Sequence, residues 1–461
     1  MLIMTLTELE KGKRIHFVGI GGVSMSGLAE IALNMGYKIT GSDQNDSDNV
    51  KKLIKNNIDV VIGHNAQNVV GADLVVYTAA VKKDNPEYQN AIHLNIPIME
   101  RSEFLGELTK IYDETIGICG THGKTTTTSM MSLAFLSAGK DPTIQVGADY
   151  LKEIGGNYKI GNSPYFIIEA CEYVESFLKF HPETVTLLNI EEDHLDYYKD
   201  LEHIKSAFKK FVNLVPERGF VISNADDFDC LDVVKDLKCK VITFGIKNTT
   251  ADWIATDIKL NETGYYSYIA TNGYEKLEIN LSVVGFHNIY NSLSVIATAH
   301  AHNLDLNLVK EGLEKFTGAS RRFEYRGTLN GAKVYDDYAH HPTEIMATIK
   351  SAASLPHNKI WVVFQPHTYT RTAALFNEFS NTFANANNVI LTDIYAAREI
   401  DDGTVSSKQL SDAINEVSGN CQYISSFEEI VEYLKQHVVE TDIVLTIGAG
   451  SVTKISHMLT E

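Results

Sequence analysis

The sequence predicts an α/β protein of three domains: an N-terminal Rossmann-like unit, a central P-loop ATPase α/β sheet, and a C-terminal Rossmann-like unit. Three observations predict it. The 461 residues exceed one ordinary domain and suit about three. Short apolar, β-branched runs alternate with stretches of helical periodicity along the chain. Two glycine-rich turns, Gly19-Ile20-Gly21-Gly22 and Gly120-Thr121-His122-Gly123, each stand between such a run and such a stretch.

Composition narrows the class. With 44% hydrophobic and 9% aromatic residues the chain can bury several cores, so disorder is not the expectation. The 59 acids against 40 bases give a net charge of −19, which argues against general nucleic-acid or membrane-surface binding. An anionic ligand would have to be held by local Lys, Arg and helix termini. The five cysteines (Cys119, Cys171, Cys230, Cys239, Cys421) show no C-x-x-C, which suits free thiols in a reducing compartment. No run approaches a membrane-spanning length, and Met1 to Glu10 lacks a basic start followed by an apolar core. A cytoplasmic protein without membrane insertion is expected. No internal repeat and no low-complexity linker is found, and nothing in the sequence sets an oligomeric state.

The first domain is read over residues 1–110. Arg14 to Val18 is a strand, a helix follows the glycine turn to about Met35, and Lys38 to Gly41 is a second strand running into Ser42-Asp43. A dinucleotide fold would use Asp43 for a ribose and Gly19 and Gly21 for a pyrophosphate, but the third glycine position is Ser24. Val60 to His64, Leu74 to Thr78 and Ile98-Met99 continue the α/β alternation.

The central domain is read over residues 111–317. Thr115 to Cys119 is a buried strand, Gly120-Thr121-His122-Gly123-Lys124-Thr125-Thr126 is the loop, and a helix runs on to Ala138 with Gly139 as its cap. The general P-loop pattern wants Gly at 118, where this chain has Ile118, so a chance G-K-T has to be weighed. The strand–loop–helix context decides for a nucleotide loop. Backbone N–H groups and the helix N-terminus would face the phosphates, Lys124 would reach the outer ones, and Thr125 can hold Mg²⁺. Tyr165 to Ile168 delivers Glu169 at a strand end, and Val185 to Leu188 delivers Asn189 to Asp196. In an open parallel sheet both segments border the ligand crevice. Each acid alone reads as a solvated or capping residue; Glu169 and the Asp193-His194-Leu195-Asp196 cluster behind a P-loop favour Mg²⁺. Tyr266 to Val284 alternates like antiparallel strands and leads into a helix whose Asn288 and Asn291 could read an adenine edge or cap the helix.

The third domain is read over residues 318–461, with Arg321-Arg322, a strand into Asp336-Asp337-Tyr338-Ala339-His340-His341-Pro342-Thr343-Glu344, then Ile360 to His367, Val389 to Asp393 and Ile443 to Gly450. Polar residues at each strand's C-terminal edge fit a Rossmann-like sheet. His340-His341 invites a zinc reading, but no partner at i+4 and no cysteine cluster supports it, so no such site is expected.

Five stretches carry a resemblance: Gly19 to Glu30, Gly120 to Thr125, Asp336 to Glu344, Phe364-Gln365-Pro366-His367 and Thr446 to Gly450. Together they resemble the Mur ligases of peptidoglycan synthesis, within that family most closely the alanine-adding branch, and they occur in the family's order over nearly the whole chain. The shortened loop G-T-H-G-K-T is the family's own form. The resemblance implies an N-terminal domain for a UDP-sugar, a central ATP-binding domain, and a C-terminal domain that closes over ATP and receives the amino acid. It implies an ATP- and Mg²⁺-dependent amide ligase. The lactyl carboxylate of UDP-N-acetylmuramate is phosphorylated, and the amine of L-alanine attacks the acyl phosphate. By similarity, Gly21, Gly22, Ser24, Ser42 and Asp43 would hold the UDP portion. Thr125, Glu169 and His194 would hold magnesium. Asn288 and Asn291 would meet the adenine, Arg322 the phosphates and Asp337 the ribose. Tyr338, His340 and Arg371 would form the alanine pocket. Lys124, His194 and Arg322 are the expected catalytic groups.

Two departures matter. Ligases that add later residues carry a carboxylated lysine whose place here falls at Phe208, beside Lys205 and Lys209; the alanine-adding branch also lacks it. Many members read Pro-His-Arg where this chain has Pro366-His367-Thr368, so Arg371 should carry more of the carboxylate alone. Rival readings are a sibling ligase that attaches a preformed peptide to the same sugar nucleotide, and a nicotinamide-dependent dehydrogenase, which would leave Lys124 idle.

Overall fold

The structure, a computed structural model, describes residues 5–461 except 79, 149, 196, 398 and 402. In the N-terminal unit the strands Asp59–Ile62, Lys38–Asp43, Arg14–Val18, Leu74–Tyr77 and Ile98–Glu100 lie side by side in that order, all parallel. The order reverses on either side of Arg14–Val18, which opens a crevice at its carboxyl end. The Gly19–Gly22 turn lies there, and the helix Val23–Asn34 follows it. Gly19 has φ +80°, and a side chain on it would meet Thr78 at 2.7 Å, so the turn requires glycine at this position.

Among the described residues the central sheet has ten strands. Lys240–Gly245, Phe220–Asn224, Thr184–Leu187, Glu114–Cys119, Tyr165–Glu169 and Thr143–Gln145 are neighbours in that order and all parallel. Apart from Lys240–Gly245, whose first residue is exposed, they are mostly buried and read as largely apolar runs. One edge continues through Trp253–Leu260 into the antiparallel strands Tyr265–Thr271 and Lys276–Val284; Tyr158–Lys159 closes the other. The helices Lys124–Ser137 and His287–Ala301 share a core with this sheet through Met130, Met131, Phe135, Leu293 and Ile296.

The C-terminal sheet runs Glu324–Leu329, Ala332–Asp337, Ile443–Ile447, Ile360–Phe364, Asn388–Leu391 and Cys421–Tyr423; the first pair is antiparallel and the rest are parallel. Its carboxyl ends face the central unit. Among the described residues no helix is long and apolar enough to cross a membrane, and all five cysteines are free.

Candidate active site

The phosphate loop leaves the strand Glu114–Cys119 at Gly120 (φ +138°) and enters the helix at Gly123 (φ +84°). A Cβ on Gly123 would lie 2.8 Å from Asn291 Oδ1, and one on Gly120 would meet Leu188 Cβ at 3.0 Å and the Asn189 backbone at 3.1 Å. Among the described residues no side chain caps this helix, so its first N–H groups are open to an anion.

Lys124 is half-buried and donates to the carbonyls of Gly120 (2.6 Å) and Thr121 (2.9 Å) and to Glu172 (3.0 Å). Burial alone would lower its pKa; Glu172, with Cys171 and Glu169 behind it, outweighs burial and raises it. Sequence reasoning missed Glu172; it stands three residues after Glu169, on the loop leaving the same strand end. Thr125 Oγ1 donates to both oxygens of Glu169 (3.0 and 3.2 Å), and Gly147 N–H donates to the same carboxylate (2.9 Å). A side chain on Gly147 would overlap that carboxylate at 2.5 Å, so the carboxylate sits in a fitted cradle. A hydroxyl and a carboxylate set at the mouth of a phosphate loop are hard oxygen donors of the kind Mg²⁺ takes. His194 has φ +53° and sets Nε2 3.7 Å from Glu172 and 3.8 Å from Asp193, so Glu172 links it to Lys124. Asp196 lies outside the described residues.

A cavity of about 790 Å³ opens between the central and C-terminal units. His122, Thr126, Asn288 and Asn291 line it from one side, Arg322, Asp337 and Glu344 from the other. The amide of Asn288 donates to Val284 O (2.7 Å) and that of Asn291 to Asn288 (2.8 Å), so both are held as parts of the wall. Arg322 stacks over Tyr338 (5.4 Å) and reaches Thr125 Oγ1 at 3.4 Å across the cleft. Asp337 accepts from Phe323 N, Ala339 N and Thr348, yet burial lifts its pKa to about 6.

His122 bridges the two units. Its ring nitrogens lie 3.1 Å from Glu344 and 3.2 Å from Glu191; burial opposes its charge, but the two carboxylates raise its pKa to about 9. His341 finds partners here that its sequence neighbours do not provide. Its ring packs 5.0 Å from that of His122, and His341, His122 and Glu191 form a three-residue cluster. Because Nδ1 accepts from Thr343 N (3.3 Å), the buried Nε2 carries the hydrogen and presents a donor rather than a metal-binding lone pair.

Five residues expected at the substrate sites are held by partners within the protein. Ser42, expected at the UDP portion, is fully buried, and its hydroxyl donates to the buried Glu87 (2.6 Å). The main chain is what it lends to the glycine turn, its carbonyl accepting from Gly19 and Ile20. Asp43 accepts from Gly21 N (2.9 Å) and Asn45 N, and Ser24 Oγ accepts from Arg101 (3.3 Å) and from Gln145 (2.7 Å), the latter pinning the helix start to the central unit. His340 is half-buried, and desolvation lowers its pKa to about 4. Its Nδ1 donates to Tyr338 O (3.1 Å), so it offers a lone pair at Nε2 and no positive charge to a carboxylate. Arg371 is turned onto Asp193 of the central unit.

A phosphate loop, a fitted hydroxyl–carboxylate pair and a third unit that brings an arginine across the cleft define a class: three-domain α/β proteins that enclose a nucleotide between their central and C-terminal units. Three family profiles match in order: "Mur ligase family, catalytic domain" over residues 14–112, "Mur ligase middle domain" over 118–299 and "Mur ligase, glutamate ligase domain" over 321–450. The UDP-N-acetylmuramate–L-alanine ligase of Acetivibrio thermocellus is 51% identical over 99% of this chain and 97% of its own. That of Clostridium novyi is 50% identical over 98% of each. The crystal structure of the UDP-N-acetylmuramate–alanine ligase of Thermotoga maritima superposes with a TM-score of 0.80 at 30% identity, over 97% of this chain and 98% of that one. A murein peptide ligase from Psychrobacter arcticus shares the fold, with a TM-score of 0.73 at 24% identity over 97% and 98% of the two chains. The chain belongs to the Mur ligase family.

Proposed function

We propose that this chain is an ATP-dependent ligase that joins L-alanine to the lactyl carboxylate of UDP-N-acetylmuramate, the first amino-acid addition in making the peptidoglycan precursor. The observation that carries the reading is the meeting of Thr125, bonded to Glu169 and next to Lys124, with Arg322 of the C-terminal unit, beside a cavity lined by Gly123, Thr126 and Arg322. It occurs in a chain that matches alanine ligases end to end at about half identity.

The chemistry follows from these side chains. The uncapped N–H groups after Gly123 and the ammonium of Lys124 would take the phosphates of ATP, with Arg322 closing from the opposite side. Lys124 would exchange its two loop carbonyls for phosphate oxygens and keep Glu172 as its anchor. Thr125 and Glu169, with His194 beyond Glu172, would hold Mg²⁺, which supplies positive charge against the transferred phosphoryl group. Asn288, Asn291 and Asp337 line the region left for adenosine. The turn Gly19–Gly22 with Asp43 and Ser24, in the N-terminal crevice, would hold the UDP portion, leaving the lactyl end to reach toward the phosphate loop. Catalysis here is chiefly positioning and charge neutralisation.

The test is phosphate release from ATP with UDP-N-acetylmuramate, amino acid by amino acid and with a preformed wall peptide. Release that requires both the sugar nucleotide and L-alanine is expected. Release with the peptide and not with alanine, or none with any acceptor, overturns the reading.

A further inference from the structure

In the cleft between the central and C-terminal units, Arg371 Nη2 and Nε lie 2.9 and 3.2 Å from the same oxygen, Asp193 Oδ1. Both side chains are almost wholly buried, at 11% and 8% exposed. Asp193 follows the strand Thr184–Leu187, and its own successor's N–H donates to it (His194 N, 2.7 Å), so its carboxylate is held by the central unit. Arg371 sits on the short helix Tyr369–Ala374 of the other unit. A cavity of about 20 Å³ opens directly beside the pair, walled by His194, Leu195, Thr368 and Leu375. Thr368 contributes a hydroxyl that accepts from Arg371 N (3.4 Å), and among the described residues lining this cavity Arg371 is the only Arg or Lys.

That space is too small for an amino acid while the pair is joined, so a ligand must part it. Parting two buried charges leaves each without its partner, which is strongly unfavourable unless something replaces both. A bare carboxylate would satisfy Arg371 and strand Asp193. A bare ammonium would do the reverse. A zwitterion replaces one ion pair by two.

We propose that Asp193 is the ammonium-binding group of the amino-acid site: an incoming amino acid places its carboxylate on Arg371 and its ammonium on Asp193, with a small side chain against Leu195 and Leu375. The inference rests on the ligase reading above and adds to it the group that selects an amino acid over a simple acid of the same size.

The experiment compares L-alanine with propionate, which has the carboxylate and the methyl group but no ammonium, in wild type and in Asp193→Asn. In wild type the inhibition constant of propionate should exceed the KM for L-alanine by about a hundredfold or more. In Asp193→Asn the alanine KM should rise by roughly tenfold or more while the propionate constant holds or falls, with the KM values for ATP and the sugar nucleotide within about twofold. A purely structural role for Asp193, through the aim of Arg371, would raise the alanine and propionate constants together, and that result overturns the proposal. So does wild-type inhibition by propionate at concentrations near the alanine KM, an arm that needs no variant to fold. A wild-type enzyme that turns over no amino acid at all would sink the ligase reading instead.

Discussion

Lys124 stands among two carbonyls and one buried carboxylate, and a triphosphate would compete for it only against the carbonyls. Lys124→Ala removes the charge that would balance the transferred phosphoryl group. It should lower kcat by about a hundredfold or more with the fold kept, as checked by circular dichroism and steady-state kinetics. Near-normal turnover in a folded variant rules out the ATP-site assignment. Glu169 binds Thr125 and Gly147 N–H together, so Glu169→Gln keeps the shape and loses the charge. Glu169→Gln and His194→Ala should each raise the Mg²⁺ concentration for half-maximal rate by roughly tenfold. If a magnesium titration of both variants overlays wild type, these residues are structural.

At the scale of the element, the join between loop and helix is the most constrained piece of backbone. Gly123 combines φ +84° with an approach of 2.8 Å to Asn291, so Gly123→Ala carries both backbone strain and a clash with the cavity wall. It should cost about 1–3 kcal/mol in urea unfolding and raise the KM for ATP. Unchanged stability together with an unchanged ATP KM would mean that the loop adapts freely. This join was legible in the sequence because strand, glycines and helix are contiguous there. The parallel strands were legible for a related reason: burial on both faces leaves an unbroken apolar run, as in Ile360–Phe364. The strands Glu324–Leu329 and Trp253–Leu260 were not, because each is partly exposed and carries charged residues. Much of the site's wiring was illegible for another reason. Lys124 meets Glu172 48 residues on, His122 meets Glu344 222 residues on, and Arg371 meets Asp193 178 residues back. No local periodicity reports such distances; only the packing of one sheet's edge against another does.

At the scale of the whole molecule, the C-terminal unit is tied to the central one by Arg322 on Thr125, Arg371 on Asp193 and Glu344 on His122. The last of these titrates in an accessible range. His122 has its pKa raised from 6.5 to about 9, since burial is outweighed by Glu191 and Glu344. A folded-state pKa above the unfolded one means that the protonated form stabilises the fold. That contribution is complete below pH 6.5 and is lost as pH rises through about 9. The two partner carboxylates are shifted the other way, so they keep their stabilising effect throughout this window. Asp337, raised by burial to about 6, titrates mostly below pH 7, while the buried thiols, raised by burial, weaken the fold as pH nears 9 and beyond. Wild type alone would therefore mix causes, and His122→Gln separates them. The stability difference between wild type and His122→Gln should shrink by about 1–2 kcal/mol between pH 7 and pH 9 in urea unfolding. A difference that stays constant across that range would mean that His122 is neutral in the fold and that no charged tie joins the two units at this point.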